Sequence, residues 1–251
     1  MKFKVMSFNL RYCNEGDGIN IFYNRAPRIL KTIKDELPDL IGFQEATDEM
    51  KSIIAKEISD TYVMVGCGRK ANYRGESMVI AYRREVFELV GLETLWLSET
   101  PNVPGSRYSN VGQSGCPRFM IRAVLSPEGY EGVINFYNTH LDHHGATARV
   151  VEMKQVMNTI TENGGAFVLT GDMNDVPESE CIKVATETEG VIDASAEVVH
   201  TFHNFGRITT NFKIDYIFTN GKGVNAYGVE DIPVDGIYIS DHYPVCAEIE
   251  I

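Results

Sequence analysis

The sequence predicts a layered α/β fold with mixed β-sheets and helices on the outside. Apolar strand patterns alternate with amphipathic helix patterns along most of the 251 residues. Several strand patterns between residues 62 and 96 follow one another without an intervening helix, which indicates mixed rather than purely parallel sheets. The chain has 43% hydrophobic and 23% charged residues and no repeat or linker-like stretch, so we expect one domain spanning residues 1–251.

The individual elements follow from apolar spacing and from turn-forming residues. Strands are predicted at residues 3–9, 39–43, 62–65, 77–82, 86–96, 120–125, 133–139, 166–170, 214–218 and 245–251. Helices are predicted at residues 25–37, 47–58, 147–161 and 179–187. Asn24 is the candidate N-cap of the first helix. The longest irregular region, Ser98 to Pro117, is rich in Gly, Pro, Ser and Asn, and a loop of this length in a compact domain is typically functional.

Charge and cysteine content restrict the partners and the compartment. A formal net charge of -12 disfavours extended non-specific binding to nucleic acid, so long duplex DNA is not an expected partner. Five cysteines without a CxxC pair predict free thiols in a reducing compartment. The chain shows neither a signal-peptide pattern nor an apolar run long enough to span a membrane, so a cytoplasmic protein is expected.

Apolar strand patterns run directly into polar residues that can bind metals or transfer protons. These residues are Asn9, Glu45, His140, Asp172, Asn174 and Asp215, followed by the pair Asp241 and His242 before the last strand. Most have an ordinary alternative explanation, such as a first-turn acidic residue for Glu45 or turn formers for Asp172 and Asn174. A charge inside a strand, as at Asp215, needs a partner. Strand ends at one sheet edge share a crevice, and a divalent cation with oxygen ligands would relieve carboxylate repulsion there.

Six motifs now give the chain a family resemblance. MSFNLRY, PDLIGFQE, YNTHLDHHG, TGDMND, KIDYIF and SDHYPV occur in this order, and the set resembles the endonuclease/exonuclease/phosphatase superfamily from Phe3 to Val245. That superfamily includes DNase I-type nucleases, inositol polyphosphate 5-phosphatases and nocturnin-like deadenylases. The segments at residues 66–83 and 96–106 are similar to a bacterial branch nearest the nocturnin-like members. The sequence departs from that branch at RFMIRAVL, where a Trp-containing strand is expected, so the resemblance does not define what the preceding loop recognises.

The resemblance implies a four-layer α-β-β-α sandwich, with two packed mixed β-sheets and helices on both outer faces. It also implies a phosphoester hydrolase that depends on Mg²⁺, with Mn²⁺ as a substitute. Glu45 would be the main metal ligand, assisted by Asn9 and Asp241. The catalytic groups would be a water-activating Asp172, a phosphate- or nucleophile-binding Asn174, an Asp215 that orients His242, and the phosphate donors His242 and His140. An alternative gives proton transfer to His242 and only orientation to Asp172.

Substrate recognition is less determined by the sequence. Six basic residues lie near the motif loops, and for each of them a solvated surface position is the simpler interpretation: Arg69, Lys70, Arg74, Arg107, Arg118 and Lys213. Arg118, which follows the long loop, is the candidate for a substrate-phosphate contact, and Glu76 is a candidate partner of one arginine. His143 and His144 are interpreted as partly solvated loop residues.

Three functions are compatible with these patterns. The first is a phosphodiesterase or nuclease whose partner is a nucleotide or a short single-stranded nucleic acid. The second is a phosphomonoesterase or a sugar or lipid phosphatase acting on a phosphorylated small molecule, because one scaffold supports both reactions. The third, a non-catalytic binding module, is disfavoured because the catalytic residues are all present.

Overall fold

The computed structural model describes residues 1–251 and contains twelve strands. In chain order the strands are β1 (Lys2–Asn9), β2 (Leu40–Ala46), β3 (Tyr62–Gly68), β4 (Ser77–Arg83), β5 (Phe87–Trp96), β6 (Phe119–Pro127), β7 (Ile134–His140), β8 (Ala166–Asp172), β9 (Ile192–Asp193), β10 (Asp215–Thr219), β11 (Lys222–Gly228) and β12 (Val245–Glu250). The helices are α1 (Phe22–Glu36), α2 (Asp48–Ile58), α3 (Ala146–Asn163) and α4 (Glu180–Thr186), with a 3₁₀ helix at Glu15–Asn20.

The strands form two six-stranded mixed sheets. The first has the order β11-β12-β1-β2-β4-β3 and the second the order β5-β6-β7-β8-β10-β9. Each sheet contains one parallel pair, β1 with β2 and β7 with β8, while the other neighbours are antiparallel. Both parallel pairs are joined through an outer helix, as a parallel connection requires.

Alternating side chains divide the core into three apolar clusters. In β1, Val5 packs in the cluster between the two sheets, whereas Met6 and Phe8 face α1 and α2 on the outside. Apolar residues of α3 and α4 cover the outer face of the second sheet in the same way. Because side chains alternate along a strand, each strand contributes apolar residues to both faces of its sheet. The predicted four-layer sandwich with helices on the outer faces is confirmed.

Pairing between strands brings the polar strand ends to one edge. Asn9 is level with Gln44 in the first sheet, and Asp172 is level with both His140 and Asp215 in the second. Because β1 packs against β8 across the interface between the sheets, the two edges meet. The predicted crevice is therefore lined from both sheets.

A polar cluster lies between the sheets, close to this edge. The Gln44 amide donates to Asn138 Oδ1 over 2.7 Å, and Asn138 donates to the backbone oxygens of Phe43 and Val79. Gly42 permits this close approach, since a Cβ at that position would lie 2.0 Å from Thr170 Oγ1. Hydrogen bonds thus connect the two sheets where apolar packing gives way to the crevice.

The first helix begins earlier than predicted, and Asn24 is not its N-cap. Helix α1 starts at Phe22 directly after the 3₁₀ helix, with Ile21 as its cap residue and no capping side chain. Asn24 lies inside the first turn, where its side chain donates to Ile19 O. The preceding 3₁₀ helix thus leads directly into α1, and no capping side chain is used.

Two strands were not predicted. Strand β9 is only two residues long, and β11 is a partly exposed edge strand interrupted by a bulge between Val224 and Tyr227. The glycines and Asn225 of β11 disfavour strands, so the local pattern was weak. All five cysteines are free, as predicted. None of the helices combines the length and apolarity needed to cross a membrane.

Candidate active site

The site is centred on Asp172, at the end of β8, and on Asn9, at the end of β1. Asn9 Nδ2 lies 2.9 Å from Asp172 Oδ2 and 3.3 Å from Glu45 Oε1, so one amide joins carboxylates from different sheets. The backbone N–H of Asn174 donates to the other oxygen of Asp172 over 2.9 Å. Asp172 is buried, and burial together with the nearby Asp215 carboxylate raises its pKa to about 7.

Glu45 reaches the site because the backbone of β2 is irregular there. Its φ is 62°, and the pairing of β2 with β4 shifts register between Phe43 and Ala46. A bulge of this kind redirects a side chain at the cost of local strain. The Tyr12 N–H donates to Glu45 Oε2 over 3.0 Å. Glu45 therefore belongs to a strand end, and the alternative interpretation as a first-turn residue of a helix is wrong, since α2 begins at Asp48.

His242 and Asp215 form a buried pair. His242 Nδ1 lies 2.8 Å from Asp215 Oδ2, while Nε2 lies 3.8 Å from Asp172 Oδ2 and 3.9 Å from Asp241 Oδ1. Burial acts to lower the pKa of His242, but the Asp215 carboxylate, with Asp241 and Asp172, raises it to about 10. In this arrangement the imidazole is protonated, and Nε2 offers a charged donor to the crevice.

His140 is a second imidazole with a different charge state. Its Nε2 lies 3.5 Å from Asp172 Oδ2. Burial, reinforced by the positive charge of Arg118 and Arg69, holds the pKa of His140 well below its usual range. A lowered pKa favours the neutral ring, so the 3.5 Å approach to Asp172 is a contact with a carboxylate rather than an ion pair.

Asp241 and Asn174 complete the set of predicted residues in the crevice. Ser240 Oγ donates to Asn9 O over 2.6 Å, which fixes the segment carrying Asp241 against the end of β1. Burial raises the pKa of Asp241, and the Glu45 carboxylate adds to this effect. Asn174 adopts a positive φ of 51° and donates from Nδ2 to Leu141 O over 3.0 Å.

The donor atoms suit a hard divalent cation. Glu45, Asp241 and Asp172 place carboxylate oxygens around the crevice. Apart from His242, the basic group within salt-bridge distance of Asp241 is Arg11, whose Nε lies 3.8 Å from Asp241 Oδ2. Repulsion among these carboxylates contributes to the raised pKa values of Asp172 and Asp241, which is the condition that a bound cation relieves. Asp172, Asp215 and His242 also offer one ligand atom each within 4.8 Å of one another, a second arrangement able to hold a metal ion.

A cavity of about 640 Å³ lies over the site, and six of the predicted residues line it: Glu45, His140, Asp172, Asn174, Asp241 and His242. One wall of the cavity carries the basic residues Arg69 and Arg118 together with His143, and the aromatic rings of Phe202 and Phe212 provide an apolar lining. Arg69 pairs with Glu76 over 2.5 Å, as expected for one arginine near the site. Arg118 is buried and lines the cavity, so the interpretation of this residue as solvated surface charge is wrong.

Other basic candidates lie elsewhere. Lys213 is buried and pairs with Asp193 over 2.7 Å, and Lys70, Arg74 and Arg107 are exposed and do not line the cavity. Sequence reasoning missed several residues that do line it: Arg11, Tyr12, Cys116, Phe202, Asn204, Phe212 and His143. The signal for Arg11 and Tyr12 is their position two and three residues after Asn9, but Phe202 and Phe212 lie in a segment without any local motif.

The long loop is tied to the site by a buried acidic pair. Asp142 accepts the N–H groups of Ser114, His144 and Gly145 and the Ser114 hydroxyl. Glu152 in α3 accepts the N–H of Asp142 over 2.8 Å, and its other oxygen is buried without a partner. Burial raises the pKa of Glu152 to about 8.

Glu152 should therefore make stability depend on pH. Its folded-state pKa lies above the unfolded value near 4.5, so its stabilising contribution is complete below about pH 4.5 and disappears as the pH rises towards 8. As the pH rises from 4.5 to 8, the free energy of unfolding of the wild type should fall by about 3–5 kcal/mol relative to that of the Glu152→Gln variant. Urea unfolding at both pH values measures this difference. The exposed Glu162→Gln in the same helix is the matched control, and an equal difference at both pH values would contradict the assignment.

Comparison with known proteins identifies the group to which this architecture corresponds. A family model described as "Endonuclease/Exonuclease/phosphatase family" matches residues 6–242. An endonuclease/exonuclease/phosphatase structure from Bacteroides vulgatus is 28% identical with a TM-score of 0.92, covering 100% of this chain and 99% of that one.

Two further solved structures are a phosphatase and a complex with a DNA product. A mannosyl-6-phosphatase from Bacteroides thetaiotaomicron is 25% identical, with a TM-score of 0.89 and coverage of 99% of this chain and 100% of that one. A TDP2 from D. rerio, solved with a single-stranded DNA product, is 17% identical with a TM-score of 0.77, and the alignment covers 100% of this chain and 99% of that one. The last likeness shows a shared fold.

Proposed function

Because the chain belongs to the endonuclease/exonuclease/phosphatase family and is therefore a phosphoesterase, we propose that it hydrolyses a compact phosphorylated substrate with the help of a divalent metal ion. The observation that carries the proposal is the crevice in which the carboxylates Glu45, Asp172 and Asp241 lie beside two imidazoles, His242 with a raised pKa and His140 with a lowered pKa. Anionic groups that bind a cation beside donors that bind phosphate oxygens are what phosphoryl transfer to water requires.

The metal ligands proposed are Glu45 and Asp241, with Asn9 as a supporting ligand. Glu45 and Asp241 offer carboxylate oxygens, and Asn9 would bind through Oδ1, which accepts the Arg11 N–H. Mg²⁺ prefers few carboxylates together with retained water, so Mg²⁺ is the proposed ion and Mn²⁺ its substitute. When bound, such a cation would withdraw charge from the phosphoryl oxygens.

The remaining residues act on the water and on the phosphoryl group. Asp172 accepts a hydrogen bond from the attacking water and orients it, held in place by Asn9 and by the Asn174 N–H. His242, aligned by Asp215, donates from Nε2 to a non-bridging phosphate oxygen. His140 supplies a second, neutral donor beside it, and the side chain of Asn174 is proposed to contact the same phosphoryl group.

The walls of the cavity support a nucleotide or a short single strand as the substrate. Arg118 presents a buried positive charge to a phosphate, and the rings of Phe202 and Phe212 give an aromatic surface of the type on which bases stack. A chain of net charge -12 lacks the broad basic surface that long duplex DNA uses. The five free cysteines suit a reducing compartment, and we propose a cytoplasmic location on that ground.

A second candidate is a sugar phosphate monoester. The observation that favours it is the likeness to the mannosyl-6-phosphatase, which extends over both whole chains. In that case the sugar ring would lie on the aromatic side chains and the single phosphate on the histidines and the metal.

One substrate panel tests these proposals together. The protein is dialysed against EDTA and assayed with and without Mg²⁺ or Mn²⁺ on bis-p-nitrophenyl phosphate, a short oligonucleotide, mannose 6-phosphate and long duplex DNA. We expect no turnover in EDTA, recovery with either metal, and higher kcat/KM for the compact substrates than for the duplex. Full activity in excess EDTA would contradict metal dependence. Preference for the duplex, with a steep loss as salt increases, would contradict the substrate class.

A further inference from the structure

The imidazole of His143 has a defined tautomer. His143 lies three residues after the end of β7, and its Nδ1 is 3.0 Å from Arg118 Nη2. A guanidinium carries only donors and stays protonated, so Arg118 must donate and Nδ1 must accept. The proton of the neutral His143 ring therefore resides on Nε2. The ring lines the cavity, so this N–H is available to a ligand bound there.

Arg118 lacks any carboxylate partner. Its side chain is only 3% exposed, its Nε is buried without a hydrogen bond, and His143 is its one side-chain partner. Arg69 on the same wall is instead neutralised by Glu76 over 2.5 Å. A buried guanidinium without a counter-ion is costly unless an anion supplies the missing contacts. The position of Arg118 thus calls for an anionic oxygen from a ligand in the cavity.

We propose that His143 is a substrate-recognition residue, which donates a hydrogen bond from Nε2 to a phosphate oxygen of the ligand that Arg118 also binds. The inference rests on the proposed phosphoesterase function and adds a residue to its binding site. His143 contributes a directional neutral donor, while Arg118 contributes charge. Protonation of His143 would remove the acceptor that Arg118 uses and place two cations side by side.

The neighbouring histidine provides a matched control. His143 and His144 are both exposed, but only His143 lines the cavity. His144 contributes to the turn through its backbone N–H, which donates to Asp142. Because a backbone contact survives substitution, His144→Leu preserves the turn. His143→Leu removes both the acceptor and the donor. In His143→Gln the amide oxygen can accept from Arg118 and the amide N–H can donate to the ligand.

The test measures binding of inorganic phosphate, independently of turnover. Trp96 is the single tryptophan, its indole donates to Arg69 O, and its ring stacks on Phe119 next to Arg118, so its fluorescence reports on this wall. In the Mg²⁺-loaded protein we expect His143→Leu to weaken phosphate binding about tenfold, the effect of one hydrogen bond to a charged group. His143→Gln should stay within about threefold of the wild type, and His144→Leu should be unchanged.

Kinetics with bis-p-nitrophenyl phosphate provide the second measurement. We expect His143→Leu to raise KM while kcat changes less than about threefold, because the contact serves binding rather than the chemical step. Unchanged phosphate affinity in His143→Leu, no phosphate binding by the wild type, or a fall in kcat alone would each overturn the proposal. Absence of turnover on every phosphoester would instead refute the proposed function, while the phosphate titration would still decide the role of His143. Thermal melts of the three variants verify folding.

Discussion

Replacing Glu45 by alanine, or Asp172 by asparagine, is expected to lower turnover by about three orders of magnitude or more while the protein stays folded. Glu45 is the proposed metal ligand, and Asp172 is the carboxylate that faces both imidazoles. Neither substitution removes apolar packing. Steady-state assays at saturating Mg²⁺ measure the loss, and the exposed Glu57→Ala in α2 serves as the control that should retain full activity.

The same variants distinguish a functional cluster from a structural one. Glu45, Asp172 and Asp241 repel one another in the absence of a cation, so removing one of them should leave metal-free stability unchanged or increase it slightly. Thermal melts in EDTA measure this effect. Unfolding of both variants would mean that the carboxylates are needed for folding, and an active Glu45→Ala variant would exclude Glu45 as the main ligand.

Arg25→Met is expected to destabilise the protein by about 3–5 kcal/mol, because it leaves buried carbonyl groups without donors. Arg25 in α1 is fully buried and donates to four backbone oxygens, those of Leu10, Arg11, Asn20 and Ile239, over 2.6 to 2.9 Å. These oxygens belong to the segments that follow Asn9 and precede Asp241. Loss of the guanidinium should therefore loosen the two proposed metal-binding segments as well as lower stability.

Urea unfolding and metal titration separate these two effects. Lys31→Met, on the exposed face of the same helix, is the control and should change stability by less than about 0.5 kcal/mol. In Arg25→Met, the rise in melting temperature produced by saturating Mg²⁺ should be smaller than in the wild type. Equal stability of the two variants would show that the carbonyl groups find other donors.

The architecture and the acidic crevice were predictable because their signals are local. Apolar strands that run directly into Asn9, His140 or Asp172 reveal the strand ends in the sequence itself. The order of six motifs then implied which strand ends meet. The strand pairing agrees, since His140 and Asp215 are both level with Asp172.

The remaining features depend on contacts between distant parts of the chain. Arg25 resembles any polar helix residue until its bond to Ile239 O, 214 residues away, is seen. Phe202 lines the site because it forms a bridge with His242, for which no spacing rule exists. His143 is a solvated loop residue, as predicted, but the sequence does not reveal that Arg118, 25 residues before it, faces its ring.

The position of β12 in the first sheet affects how the protein can fold during synthesis. This strand lies between β1 and β11, and its residues 245–250 pair with residues 2–7. More than 240 residues must therefore be synthesised before β1 can pair with β12. Pairing between segments so distant in sequence is slow. Until then one side of β1 remains an unpaired edge open to aggregation. Asp241 and His242 immediately precede β12, so a nascent chain should acquire its complete catalytic crevice only as this last pairing forms.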